Sequence, residues 1–162
     1  MEIDPIRKIY KRTERFTLII LMIALPIFGL VYLYHTSGSI NKDLPPLGGF
    51  LNGFLIAFSS SILIGQYLVF HSKIKTTFSE EDLLEKVRIY SKATEQRFLF
   101  LFLVSICTSV GLLFGGNPLH TILFALALVF FSLAKPSPDR MARLMKLKKE
   151  DRELIRAASR PE

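Results

Sequence analysis

The sequence predicts an all-α, polytopic membrane protein: a four-span transmembrane helical bundle with amphipathic cytoplasmic helices after the second and fourth spans. Four apolar stretches, residues 16–34, 48–70, 98–114 and 119–134, contain no Asp, Glu, Lys or Arg. Half of all residues are hydrophobic, and the mean hydropathy is +0.36, both of which are high for a soluble protein. The basic residues also gather on one side of the predicted membrane. We expect the whole chain, 1–162, to form one membrane domain.

The first span, residues 16–34, is predicted to be a kinked helix. At ~1.5 Å per residue it covers about 28 Å, close to the ~30 Å hydrocarbon core of a bilayer. Pro26 lies near its middle and removes one backbone donor, which bends a helix. Thr17 is the only clearly polar side chain in this span. We therefore interpret the kink as packing geometry.

The second span, residues 48–70, carries the strongest packing signal in the chain. Small residues recur every four positions on one helix face, and we call this set the small-residue ridge: Gly49, Gly53, Ala57, Ser61 and Gly65. In lipid, small residues allow the close backbone contact that holds helices together. Two alternatives remain open. The ridge packs within the chain's own bundle, or it receives a helix from a second copy or another membrane protein.

The third span, residues 98–114, repeats this pattern with Cys107, Gly111 and Gly115. Polar residues within the spans are few and uncharged. Asn52 and Gln66 of the second span are candidates for a polar lining. Since coupled transport usually needs an ionisable group near the midplane, their uncharged character argues against transport driven by ions.

The segment between the second and third spans is predicted to hold an amphipathic helix over residues 80–92. Ser79, followed by three acidic residues, has the pattern of an N-cap and first turn. Apolar residues then recur at helical spacing: Leu83, Leu84, Val87 and Tyr90. We expect this helix to lie along the cytoplasmic surface or to cover the inner end of the bundle, with a second helix start near Thr94 leading into the third span.

The fourth span, residues 119–134, is the shortest and is followed by a predicted helix over residues 138–158. Ser137 and Pro138 have the pattern of an N-cap and first helical position. The first turns should rest on lipid or on the bundle, and the later turns should project into the cytosol. Its basic residues are candidate contacts with anionic headgroups or a partner: Arg140, Arg143, Lys146, Lys148 and Lys149.

The distribution of basic residues predicts the orientation. Five precede the first span, six lie between the second and third, and nine follow the fourth, leaving only Lys42 on the opposite side. Because Lys and Arg in short loops resist translocation, we expect a protein of the bacterial inner (plasma) membrane with both termini in the cytoplasm. The basic segments also contain many acidic residues and adjoin lipid, so we expect the bilayer and its anionic headgroups as partners and no nucleic acid.

No residue pattern indicates a particular chemistry. His35 and His120 are predicted at the same end of the bundle, where Asp43 is the only carboxylate, and no metal-binding motif accompanies them. We therefore predict no cofactor, metal site or catalytic residue. A single cysteine, Cys107, excludes an intramolecular disulfide.

The expected function is that of a non-enzymatic membrane subunit or scaffold. It would associate with other membrane proteins through small-residue helix faces and its basic C-terminal helix. The alternative is a small transporter or channel for a neutral or hydrophobic solute, with Asn52, Gln66 and the serines at 59–61 as its lining. An enzyme acting on lipid stays open, without a candidate nucleophile or base.

Overall fold

The computed structural model of the protein describes residues 3–38 and 44–160, which contain helices and no strands. The helices are α1 (Ile3–Thr36), α2 (Gly49–Thr76), α3 (Leu83–Gly115), α4 (Leu119–Ala134), α5 (Pro138–Leu144) and α6 (Lys149–Ser159). The all-helical prediction is confirmed. Lys42 and Asp43, the charges predicted on the opposite side of the membrane, lie outside the described residues.

Three of these helices, α1, α2 and α3, are long and apolar enough to cross a membrane. The pair formed by α4 and α5 passes the same test together, although the chain bends by 87° between them. The described residues therefore contain three to four candidate spans.

The central element is α3, which packs against α1, α2 and α4. Its buried face follows alternating steps of three and four residues: Leu83, Val87, Tyr90, Thr94, Arg97, Leu101, Val104, Thr108 and Gly111. A repeat of 3.5 residues keeps one stripe of a helix directed at its neighbours over many turns. This single stripe explains why α3 contacts several helices along its whole length.

The prediction of a separate helix over residues 80–92, with a second helix start near Thr94, is wrong. That segment is the first part of α3, which continues past Thr94 without a second start. The N-cap is Asp82 and not Ser79, since the Asp82 carboxylate accepts a hydrogen bond from the Leu84 amide at 3.2 Å. The physical reason is the continuous buried stripe, which holds this segment against the bundle.

Three hydrophobic cores stabilise the described part of the fold, and the smallest of them consists of Phe28, Leu112 and Phe124. The first lies in the apolar middle of the bundle and includes Ile20, Leu63, Leu101, Ala127 and Phe131. The second lies where α1 begins, α2 ends, α3 begins and α5 and α6 pack; we call this the charged end. Its buried residues include Ile6, Tyr10, Phe70, Ile74, Val87, Tyr90, Met141, Met145, Leu147, Ile155 and Ala158. The core of the charged end is therefore built mostly from residues outside the four apolar stretches of the sequence.

The predicted single helix over residues 138–158 is two helices, which is a second correction. As expected, α5 begins with Pro138 in its first turn, and the Ser137 hydroxyl accepts a hydrogen bond from the Arg140 amide at 3.3 Å. It ends in a Schellman motif. The Lys146 amide donates to the Arg143 carbonyl at 3.3 Å, and the Leu147 amide donates to the Ala142 carbonyl at 3.0 Å.

Lys146 occupies the left-handed position of this motif, with φ of 51°. Glycine is usual there because a side chain adds steric cost. Here the Lys146 ammonium lies 4.7 Å from the centre of the Phe78 ring, and the next residue, Leu147, is buried in the core of the charged end. Tertiary contacts therefore compensate for the unfavourable backbone.

After this turn, α6 packs against α1 instead of projecting away from the bundle. Its buried side chains, Ile155 and Ala158, belong to the core of the charged end. Arg156 also donates to Asp139 of α5 at 2.6 Å, although this exposed ion pair adds little stability. The expectation that the later turns project into solvent is therefore wrong.

Candidate functional site

The small-residue ridge of α2 faces away from the other described helices. Gly49, Gly53, Ala57 and Ser61 are exposed, and Gly65 is half-buried. A Cβ atom added at Gly49, Gly53 or Gly65 would meet no atom within 4 Å. The Ser61 hydroxyl donates to the Ala57 carbonyl at 2.8 Å, so it needs no partner outside α2. Among residues 3–38 and 44–160, no atom therefore packs on the three ridge glycines.

The outward direction of the ridge follows from the opposite face of α2. That face carries the buried residues Ser59, Leu63, Gln66, Phe70 and Ile74. At about 100° per residue, positions two apart point to nearly opposite sides of a helix. Once Leu63 packs into the apolar core, Ser61 and Gly65 must turn outward.

A row of exposed rings runs beside the ridge. Phe50, Phe54 and Phe58 follow one another at four-residue spacing, and Phe50 is 85% exposed. The Phe54 and Phe58 rings stack with their centroids 5.7 Å apart. The exposed face of α2 therefore has small residues along the ridge and large aromatic rings beside them. Another helix can pack against the small residues with its side chains next to the rings.

The glycines of α3 lie in a different setting, against side chains of the same chain, although Gly111 is buried and Gly115 is exposed. A Cβ at Gly111 would overlap the ring of His120, and a Cβ at Gly115 would lie 2.9 Å from Asn52 Oδ1. Cys107, the third member of this stripe, is half-buried. The two glycines thus allow side chains of α2 and α4 to approach α3 closely.

Asn52 is used to join helices. Its Oδ1 atom accepts a hydrogen bond from His120 Nε2 at 2.8 Å, and this bond links α2 to α4. His120 is fully buried beside Gly111. Because the oxygen can only accept, Nε2 carries the proton and His120 is held in one tautomer.

His35 lies elsewhere at the same end of the bundle, 3.3 Å from the position of a Cβ built on Gly116. Among residues 3–38 and 44–160, no three His, Cys, Asp or Glu side chains gather in a group that could hold a metal ion. Asp43, predicted to be the nearby carboxylate, is not among these residues.

Gln66, the other predicted lining residue, is 1% exposed and holds a buried arginine. Its Nε2 donates to the Leu63 carbonyl at 3.0 Å, and its Oε1 accepts from Arg97 Nε at 2.7 Å. Arg97 is 3% exposed, and its guanidinium carbon lies 4.9 Å from the centre of the Phe70 ring. In the part of the chain that the structure describes, Arg97 forms no ion pair with a carboxylate.

Sequence reasoning missed Arg97 as a buried residue because it was counted only as a topology charge. The signal that indicates its burial is spacing, since Arg97 continues the steps from Tyr90 and Thr94 to Leu101. A second missed contact joins α1 to α3. There the hydroxyls of Thr13 and Ser91 share a hydrogen bond in the buried interface.

The basic residues predicted to contact headgroups or a partner lie on the surface of the charged end. Arg143, Lys146, Lys148 and Lys149 are exposed, and Arg140 is half-buried. They spread over α5, the turn after it and the start of α6. These basic side chains are therefore spread over a surface and do not gather at one point.

Comparison of the chain with family models, with curated proteins and with solved structures found no match.

Proposed function

We propose that this chain is a non-enzymatic integral membrane subunit or scaffold that binds other membrane proteins through the small-residue ridge of α2. The observation that carries the proposal is the contrast between two glycine stripes. Gly111 and Gly115 of α3 are filled by side chains of the same chain, whereas Gly49 and Gly53 of α2 meet nothing. A helix of another chain is the natural partner for such an empty face in lipid.

The ridge is long enough to define one docked helix. From Gly49 to Gly65 it extends over about 24 Å at ~1.5 Å per residue, most of a hydrocarbon core of ~30 Å. Hydrophobic burial gives no driving force between helices in lipid, so close van der Waals contact must supply it. A smooth ridge beside the exposed ring row of Phe50, Phe54 and Phe58 provides that contact area.

The proposal includes a placement in the membrane. We assign four spans, formed by the apolar parts of α1, α2 and α3 and by α4. The charged end and both termini then lie on the cytoplasmic side of a bacterial inner membrane. The three basic segments all lie at the charged end, which supports this orientation. The 16 residues of α4 cover about 24 Å, so Lys135 must extend toward the headgroups.

The basic surface of α5 and α6 provides a second contact. Arg143, Lys148 and Lys149 are exposed and would face the cytoplasmic leaflet or an acidic partner. A Lys or Arg near an anionic membrane surface contributes about 1 kcal/mol. This attraction would orient the subunit without specifying its partner.

The contacts of Asn52 and Gln66 favour association over transport. Asn52 is bonded to His120, and Gln66 is bonded to Arg97. A solute would have to break these buried bonds before either amide could bind it. Their arrangement is that of residues that hold helices together.

Two identical substitutions on exposed helix faces test the proposal. Ala57 lies on the ridge, and Ala125 is an exposed alanine of α4. The wild-type chain, cross-linked in native membranes and purified in mild detergent, should carry a second membrane protein or a second copy of itself. Ala57→Leu should remove that partner, because the larger side chain blocks the close approach, while Ala125→Leu should keep it. A wild-type chain purified alone, or an Ala57→Leu variant with its partner intact, would overturn the proposal.

A further inference from the structure

A cleft of about 590 Å³ lies between α1 and α4, next to the charged end. Leu18, Leu21 and Leu25 of α1 form one wall, and Leu128 belongs to the other. Phe98 of α3 and Phe131 of α4 also line it, and their ring centroids are 5.3 Å apart. Its volume lies in the range of about 300–1,000 Å³ that is usual for small-molecule sites.

The cleft ends where side chains of α1 and α4 come into contact. Away from the charged end, the rings of Phe28 and Phe124 stack with their centroids 3.7 Å apart. Toward the charged end, α4 stops at Ala134 and the chain bends by 87° into α5. No described side chain fills the space between α1 and α4 at this level.

Charged residues surround the mouth of the cleft. Arg15 comes from α1 and Lys135 follows α4, and Glu14 lies next to Arg15. Within residues 3–38 and 44–160, neither basic side chain forms an ion pair. Two cations and one carboxylate give the mouth a formal charge of plus one, opposite in sign to an anionic headgroup.

The length of the cleft matches one leaflet. From Arg15 to Leu25 the helix rises about 15 Å, which is half of a ~30 Å hydrocarbon core. A cleft of this length with apolar walls and a basic mouth is complementary to an amphiphile that carries a negatively charged head and an acyl chain. Bulk lipid matches the apolar walls equally well, so the mouth supplies the selectivity.

We infer that this cleft binds one anionic phospholipid, with its phosphate between Arg15 and Lys135 and an acyl chain along Leu18, Leu21 and Leu25. The inference rests on the membrane placement of the proposed function and is independent of the α2 ridge. A zwitterionic lipid would leave the charge of the mouth uncompensated, so the site should prefer a lipid with a net negative charge.

The test is a titration of the purified full chain in neutral detergent with dioleoylphosphatidylglycerol, followed by native mass spectrometry. Wild type should retain one such lipid and should bind dioleoylphosphatidylcholine more weakly. The Arg15→Gln/Lys135→Gln variant should bind phosphatidylglycerol about 25-fold more weakly, since two nearby cations at about 1 kcal/mol each correspond to that ratio.

The matched control is Lys75→Gln/Lys92→Gln, which removes the same charge from exposed positions of α2 and α3 that do not line the cleft. Its affinity should stay within about twofold of wild type, because a site-specific contact is not lost. Leu21→Trp should abolish lipid retention by filling the cleft while leaving the mouth intact. Inorganic phosphate should not displace the lipid.

Equal binding of the two lipids, displacement by inorganic phosphate, an equal loss in the control variant, or full binding by the mouth variant would each overturn the inference. The Ala57→Leu comparison remains a separate readout, because Ala57 lies on α2 and does not line this cleft. A protein that binds the lipid but has no protein partner would therefore reject the proposed function alone.

Discussion

Arg97 is the one arginine that the described structure buries almost completely, and two neutral groups hold it. Removing a guanidinium from water is costly unless its donors are satisfied. The Gln66 amide accepts from its Nε, and the Phe70 ring offers its negative face at 4.9 Å. Arg97 and Gln66 therefore depend on each other, and changing one leaves the other buried with a lost bond.

A double-mutant cycle measures that dependence. Gln66→Leu and Arg97→Met should each lower the free energy of unfolding by about 1.5–3 kcal/mol, the range for hydrogen bonds to charged groups. The double variant should be more stable than the sum of the single losses predicts, by at least about 1 kcal/mol. Unfolding of the detergent-solubilised chain, followed by circular dichroism, gives all four values. Strict additivity would show that the two residues do not stabilise each other.

Gly111 is the glycine at which added volume should matter most. An alanine there would overlap the His120 ring, which is held by its bond to Asn52. We expect Gly111→Ala to destabilise the chain by about 1–3 kcal/mol, as other overpacked substitutions do. Gly29→Ala is the control, since a Cβ at this position would meet no atom within 4 Å. This substitution should stabilise the helix by about 0.5–1 kcal/mol. A melting temperature of Gly111→Ala equal to that of Gly29→Ala would contradict the packing seen here.

At the scale of elements, the apolar stretches predicted where the long helices lie but not where they begin. A search for uncharged runs stops at Arg97, although α3 starts at Leu83. The steps of three and four residues pass through Thr94 and Arg97 without interruption, so the period was the better guide. A search based on hydrophobicity alone misses a buried helix face when some of its residues are polar, as Thr94 and Arg97 are.

The break between α5 and α6 had no comparable signal. Glycine commonly marks the end of a helix, but Lys146 takes that position here. Its backbone conformation depends on Phe78 and on the burial of Leu147, both of which are tertiary contacts. A stop of this kind cannot be read from local sequence.

A proline in the exposed face of α3 tests the continuity of that helix. Lys92 is exposed and lies within the uninterrupted part of α3. Lys92→Pro should destabilise the chain by about 3 kcal/mol or more, because it removes a backbone hydrogen bond and clashes with the preceding turn. Lys92→Ala, which removes the charge alone, should change stability by less than about 0.5 kcal/mol. If both variants unfold alike, the helix is already interrupted near Thr94.

At the scale of the whole molecule, the sequence could not distinguish an inner glycine stripe from an outer one. Gly111 and Gly115 have the same four-residue spacing as Gly49 and Gly53. What separates them is the position of large apolar residues on each helix. In α2 these include Leu63, which packs on the face opposite the ridge, and that relation appears only when the helices are placed together.

Both proposals, partner binding at the ridge and lipid binding in the cleft, depend on the four-span placement. Cysteine labelling tests it most directly, in a Cys107→Ala background that removes the one native thiol. Ser37 follows α1 and Lys149 begins α6, and both are exposed. Their positions place them on opposite sides of the proposed membrane.

The measurement is reaction of Ser37→Cys and Lys149→Cys with a membrane-impermeant maleimide in intact spheroplasts. Ser37→Cys should be labelled at once, and Lys149→Cys only after the membrane is permeabilised. Labelling of both cysteines from the same side, or of Lys149→Cys alone, would contradict the placement.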